Sequence, residues 1–298
     1  MIYGNILDTI GNTPLVRINR MNPNPSVELY AKFEGFNPTG SIKDRIALKM
    51  VEQAEAEGTL TKDKIIIEAT SGNTGIGLAM IGAVKGYRVQ IVMSSAVSIE
   101  RQKMMKAFGT EIILTAPELG TDGAIMKAKE LVEANPDKYF NPNQFSNHYN
   151  TAAHYKTTAE EIWEQTEGRV THFVSALGTS GTLMGVGMML KERNPKVKII
   201  EAQPVKGHYI QGLKSLAEAI VPEIYNINEI DESILIDTED AYETARQIVQ
   251  QEGIFVGMSS GAAMLAALRV AEEIDTGVIV TILPDRGEKY LSTDLFKV

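Results

Sequence analysis

Short apolar runs alternate along the chain with longer segments whose apolar residues recur every three to four positions. The short runs are rich in Val and Ile and bounded by Gly, Pro or Thr. They predict strands over 28–33, 64–68, 88–93, 111–114, 172–176, 198–202 and 277–282. The longer segments predict helices over 44–57, 73–85, 98–108, 121–133, 157–164, 182–193, 238–251 and 261–273. The third helix reads as opening on a Ser98 cap, with Arg101, Gln102 and Lys103 turned to solvent. Strand and helix in alternation build βαβ units, so the expected class is α/β with mostly parallel sheets flanked by helices. Segment 141–151 (NPNQFSNHYNT) is polar, irregular and Asn-rich, and is expected to carry the chain between two lobes.

Three strand-to-helix loops resemble one another. Ile65-Ile66-Ile67-Glu68-Ala69 leads into Thr70-Ser71-Gly72-Asn73-Thr74-Gly75, and Phe173-Val174-Ser175-Ala176-Leu177 into Gly178-Thr179-Ser180-Gly181-Thr182. A weaker third instance is Gly257-Met258-Ser259-Ser260-Gly261. Free N–H groups at a helix start, with hydroxyls beside them, form a cradle for phosphate or carboxylate. Glycines let the backbone come close to such a ligand. None of the three is a Gly-Lys-Ser/Thr phosphate loop or a G-x-G-x-x-G with a following acidic residue. A non-nucleotide phosphate plus a carboxylate-bearing second ligand fits better.

Composition narrows this further. A length of 298 residues suits two modest lobes or one large α/β unit. Lys and Arg total 29 against 38 Asp and Glu, a net charge of −9, which disfavours nucleic acid and anionic membranes as partners. An anionic ligand must then be held by local donors. The absence of cysteine excludes a disulfide scaffold, a thiolate metal site and a Cys nucleophile. The four histidines show no metal-ligand spacing, so no metal site is expected, and His154 and His172 read as packing or loop residues. No run of about 18 apolar residues offers a membrane span. The opening MIYGNILDTIGNTPL lacks a basic start and an apolar run, so a cytoplasmic location is expected.

Lys43 stands at a predicted helix start, where a cation opposes the helix dipole. It lies among small turn residues ahead of an apolar helix face, so its side chain is expected to point inward. A buried lysine near positive dipole ends loses proton affinity and becomes a nucleophilic amine suited to a Schiff base. Asn37-Pro38-Thr39-Gly40-Ser41-Ile42-Lys43-Asp44-Arg45 resembles the cofactor-lysine motif of the fold-type-II pyridoxal-phosphate enzymes. The three loops resemble that family's carboxylate loop, phosphate loop and pyridine-nitrogen segment in turn. Ile10-Gly11-Asn12-Thr13-Pro14-Leu15 and Gly287-Glu288-Lys289-Tyr290-Leu291-Ser292-Thr293 match as well, so the likeness runs through essentially the whole chain. Within the family the chain is most similar to cysteine synthases (O-acetylserine sulfhydrylases). Thr171-His172-Phe173-Val174-Ser175, Gly185 and Val221-Pro222-Glu223-Ile224-Tyr225 point to the B-type branch.

The resemblance implies pyridoxal 5′-phosphate as cofactor and a two-lobed fold like that of the tryptophan synthase β subunit. Residues 38–142 would form a smaller, mobile substrate lobe, and 1–37 with 143–298 the larger cofactor lobe. Lys43 would hold the cofactor and move the α-proton, and Asn73 would meet the ring hydroxyl. Gly178, Thr179, Ser180, Gly181 and Thr182 would bind the phosphate, and Ser259 the pyridine nitrogen. Thr70, Ser71, Thr74 and Gln144 would hold the amino-acid carboxylate. Lys214, in the segment facing the substrate side chain, would meet an anionic leaving group. A neutral hydroxyl at the ring nitrogen favours β-elimination over transamination. The implied reaction is β-replacement of O-acetyl-L-serine, with O-phospho-L-serine a further donor, by sulfide or thiosulfate, in a homodimer. The rivals are cystathionine β-synthase-like or cysteine desulfhydrase chemistry, and a catalytically silent regulatory binder. Two features stand apart: the loop Met93-Ser94-Ser95-Ala96-Val97 lacks the family's usual proline, and Asp285 lies near the third loop in sequence, where it could tune the site.

Overall fold

The computed structural model describes residues 2–70 and 72–297, which leaves Ser71 outside the described residues. The strands are β1 (Leu15–Arg17), β2 (Val27–Phe33), β3 (Ile65–Ala69), β4 (Arg88–Ser94), β5 (Glu111–Thr115), β6 (Tyr139–Phe140), β7 (His172–Ala176), β8 (Lys198–Pro204), β9 (Glu232–Ile236) and β10 (Gly277–Leu283). They form a four-stranded sheet in the order β5–β4–β3–β6 and a six-stranded sheet in the order β1–β2–β10–β7–β8–β9. All pairs are parallel except β1 with β2. The helices are α1 (Lys43–Ala56), α2 (Asn73–Lys85), α3 (Ile99–Ala107), α4 (Gly120–Ala134), α5 (His148–Ala153), α6 (Ala159–Gln165), α7 (Gly181–Arg193), α8 (Thr238–Gln247) and α9 (Met258–Glu273).

Burial explains the sequence pattern. Every residue of β3 is buried, as a parallel strand covered on both faces requires. In the larger sheet, successive residues feed opposite layers. Val174 and Ile279 pack with α9 residues Ala262 and Ala266, while Phe173 and Val280 pack with Leu183 and Val186 of α7. In the smaller sheet, Ile66 and Ile91 pack against Ala47 and Val51 of α1 and Ile76 of α2.

The expected strands and helices are present, with four departures. Strands β1, β6 and β9 were not expected; they are short or lie at a sheet edge, where apolar periodicity is weak. The last four of the eleven residues of the expected irregular crossing 141–151 are helical. Asn147 caps α5 by accepting from Tyr149 N at 2.9 Å, and one π-helical turn, His154–Thr158, joins α5 to α6. Helix α9 starts three residues before 261, which puts Ser259 in its first turn. The start of α3 does not face solvent. Ser98 makes no cap and donates to the Lys289 carbonyl at 2.8 Å, and Arg101 and Gln102 are buried; only Lys103 is exposed as expected.

A buried charge cluster sets the entry to α1. Arg45 pairs with Glu34 at 2.7 Å and with Glu161 of α6 at 2.6 Å, and Lys32 pairs with Glu161 at 2.7 Å. Glu34 also accepts from Thr13 Oγ1 at 2.6 Å and from Asn37 Nδ2 at 2.8 Å. The cluster therefore ties the N-terminal loop, β2, the turn before Lys43 and α6 into one unit. Burial pushes the Glu161 carboxyl up, but Arg45 and Lys32 outweigh it and hold the group at about 2. A carboxyl held below its ordinary 4.5 stabilises the fold above that pH, and this stabilisation is lost as pH falls through about 2. Glu161→Gln leaves two buried cations short of a partner and should destabilise the protein by about 3 kcal/mol. Urea unfolding at neutral pH measures the loss, and the same titration below pH 4.5 should show a shallower acid decline than in the wild type.

Candidate active site

The turn before α1 presents Lys43. Gly40 N donates to Asn37 O at 2.7 Å, and Ile42 N donates to Pro284 O at 2.9 Å, which pins the turn to the end of β10. Asp44 accepts from Thr39 N at 2.7 Å and from the Thr39 hydroxyl, supplying the anion that the helix start favours. Lys43 lies at the floor of a cleft, enclosed by protein but open to it on one side. Burial lowers its pKa from 10.5 to about 8; Asp285 opposes that shift and Arg101 adds to it. About a tenth of the amine is thus free of its proton at pH 7, far more than for an ordinary lysine.

Residues of all three Gly-Ser-Thr loops line this cleft. On one side Thr74 Oγ1 donates to Gln144 Oε1 at 2.6 Å, and Gln144 Nε2 donates to Ala69 O at 3.0 Å. Gly72 before α2 has φ +136°, and a Cβ there would run into the Arg101 side chain. On the other side Asn150 Nδ2 bridges Thr179 Oγ1 at 3.0 Å and Gln144 O at 2.8 Å, joining the two loops. Ser180 sits at φ +67° as the cap of α7, and its buried Oγ has no partner among the described residues. His154 in the π turn bonds Thr158 Oγ1 at 2.9 Å and Thr182 Oγ1 at 3.2 Å. Burial drives its pKa well below 6.5, so a neutral imidazole orients Thr182. His154 is therefore more than packing.

Ten of the residues singled out in the sequence line this one cleft: Lys43, Thr70, Asn73, Thr74, Gln144, Gly178, Thr179, Thr182, Lys214 and Ser259. Ser180 and Gly181 lie behind its wall, and Ser71 lies outside the described residues. Lys214 faces the cleft but is no free cation. It pairs with Asp122 of α4 at 3.2 Å, donates to Ile220 O at 3.3 Å and lies over the Phe145 ring.

Sequence reasoning missed a polar cluster beside Lys43. Asp285 Oδ2 accepts from Asn73 Nδ2 at 2.6 Å and from the Tyr290 hydroxyl at 2.8 Å, and meets Arg101 at 3.3 Å. Arg101 also bonds the Tyr290 hydroxyl and stacks on its ring. Buried Gln211 lines the cleft, and its Nε2 has no partner among the described residues. Asp285 was singled out in the sequence as a residue that could tune the site, Tyr290 lies in the Gly287–Thr293 motif and Gln211 in the substrate-side segment, but nothing local marked Arg101 or joined the four.

This is the site of a pyridoxal-phosphate enzyme of fold type II. The family model described as "Pyridoxal-phosphate dependent enzyme" matches residues 6–285, and the chain belongs to that family. The chain is 48% identical to the cysteine synthase of Aquifex aeolicus over 299 aligned positions, covering 98% of this chain and 91% of the relative. Against cysteine synthase B of Escherichia coli the identity is 46%, covering 97% and 94%. The crystal structure of a cysteine synthase from Entamoeba histolytica superposes with a TM-score of 0.93 at 48% identity, covering 100% of this chain and 92% of that one. No helix among the described residues is long and apolar enough to cross a membrane.

The residues present fit the cofactor. A lysine amine with lowered proton affinity faces the cleft, and the hydroxyl at Ser259 is uncharged. A Cβ at Gly178 would lie 2.7 Å from Gly212 O, and one at Gly181 would overlap the Asn150 amide. Gly181→Ala should displace Asn150, loosen Thr179 and weaken cofactor affinity by roughly tenfold or more, the worth of one or two hydrogen bonds to a charged group. Equilibrium titration of the apoprotein with pyridoxal phosphate checks this; unchanged affinity would make the loop an ordinary βα turn.

Proposed function

We propose that this protein is a cysteine synthase of the B type, making L-cysteine from O-acetyl-L-serine and sulfide. The observation that supports it most is the meeting of Lys43 with three helix-start loops in one cleft, in a chain end-to-end similar to cysteine synthases. In the reaction the substrate loses its α-proton and acetate, and hydrosulfide and a proton add in their place. When bound, the cofactor draws electrons from the α-carbon so that the proton and the β-substituent can leave.

The chain's own residues would do the rest. Lys43 Nζ would hold the cofactor and carry the substrate's proton to and from the α-carbon. Thr70, Ser71, Thr74 and Gln144 hold the substrate carboxylate at the start of α2, where N–H groups favour an anion. Gly178, Thr179, Ser180, Gly181 and Thr182 hold the phosphate at the start of α7 by the same physics. Asn73 donates to the ring oxygen and Ser259 meets the ring nitrogen as a neutral partner. Residues 38–142 form the lobe that moves over substrate, and 1–37 with 143–298 the lobe that holds the cofactor.

Donor choice follows from Lys214. Its ammonium is already matched by Asp122, so a phosphate leaving group would have to displace that carboxylate. O-acetylserine is therefore the main donor, and O-phospho-L-serine is at most a poor one. Sulfide, or thiosulfate giving S-sulfocysteine, is the acceptor. The family resemblance supports a homodimer in the cytoplasm that binds neither nucleic acid nor membrane.

Two measurements check the reading. Lys43→Ala should abolish cysteine formation from O-acetylserine and sulfide and remove the visible absorption of the bound cofactor. A variant with near wild-type turnover would contradict the assignment. Because Lys43 loses its proton near pH 8, the rate of cofactor uptake by the apoprotein should rise through that pH and level off above it. Stopped-flow absorbance from pH 6 to 10 would show it, and a rate that does not rise until the range of an ordinary lysine would contradict a buried amine.

A further inference from the structure

Asn73 opens α2 and faces the cleft, and its side-chain amide is held from both sides by opposite charges. Its Nδ2 donates to Asp285 Oδ2 at 2.6 Å, and its Oδ1 accepts from Lys289 Nζ at 3.0 Å. Both partners are buried and themselves fixed. Asp285 is held by Arg101 and Tyr290, and Lys289 Nζ also donates to Gly40 O at 3.0 Å in the turn before Lys43. Burial lowers the Lys289 pKa to about 8, which still leaves it mostly protonated at pH 7.

Rotating the amide by half a turn would aim its N–H groups at an ammonium and its C=O at a carboxylate. Two attractions would become two repulsions, so the charges select one orientation. The Nδ2 group carries two hydrogens. Asp285 takes one, and the other remains for a ligand.

We propose that Asp285 and Lys289 are positioning residues for Asn73: their opposite charges lock its amide so that one N–H is kept for the ring oxygen of pyridoxal phosphate. The inference rests on the reading of Asn73 as the donor to that oxygen. Neither Asp285 nor Lys289 need touch the cofactor. They act through the amide.

Titration of apoprotein with pyridoxal 5′-phosphate, read by affinity and by the absorption band of the bound cofactor, tests it in wild type, Asn73→Ala, Lys289→Met and the double variant. Each single variant should weaken affinity roughly fivefold, the worth of one hydrogen bond, and move the absorption band. The double variant should bind no more weakly than Asn73→Ala alone, and Lys289→Arg should stay within about twofold of wild type. Losses that multiply in the double variant would overturn the inference. An unchanged affinity and band in Lys289→Met, with Asn73→Ala impaired, would overturn it while leaving the role of Asn73 intact. An unaffected Asn73→Ala would overturn both. Should Lys289→Met not fold, Asp285→Asn replaces it, because it removes the selecting charge at constant shape. Its loss should likewise vanish in the Asn73→Ala background, and a loss that persists there would refute the lock.

Discussion

The carboxylate of Asp285 is buried, and elements beside both sheets send it a partner. Arg101 reaches it from α3 beside the smaller sheet, and Tyr290 from the segment after β10 in the larger one. Ser98 and Glu100 of the same helix bond Lys289 and Ser292, so α3 rests along the C-terminal segment. The backbone on either side of Asp285 holds the site: Pro284 O receives Ile42 N beside Lys43, and Arg286 N donates to Gly40 O. A buried charge that loses its partners is strongly destabilising, so this one carboxylate couples the seating of α3 to the geometry of the lysine turn.

The remaining electrostatics follow from that placement. A chain with net charge −9 must bind a doubly anionic cofactor and an amino acid without help from its overall field. The starts of α2 and α7 both line one cleft, and helix-start N–H groups and hydroxyls are the local donors that such anions would need. Burial keeps His154 neutral and brings the proton affinities of Lys43 and Lys289 down toward neutral pH without discharging them there. The amine that must act as nucleophile is the one that gains from this.

Much of this was legible in the sequence because it is local. The helix-start loops need Gly, Ser and Thr for backbone reasons, and the buried parallel strands must be apolar throughout, so loops, strands and the Lys43 turn were all found. What failed was long-range. Arg101 read as a solvent-facing residue because its partner Asp285 is 184 positions away. Lys214 read as a free cation because Asp122 sits on a helix 92 positions earlier. His154 gave no signal, since its value lies in a π turn that brings its ring to Thr182. Edge strands β1, β6 and β9 are too short or too exposed to show a period.

Two buried lysines at the site have lowered proton affinity, Lys43 lining the cleft and Lys289 against Asn73, and the account requires the cofactor on the first alone. Borohydride reduction of the holoenzyme, followed by proteolysis and peptide mass spectrometry, identifies the lysine directly. The account predicts one phosphopyridoxyl group per chain, on Lys43. A label on Lys289, or on no lysine in the cleft, would contradict it.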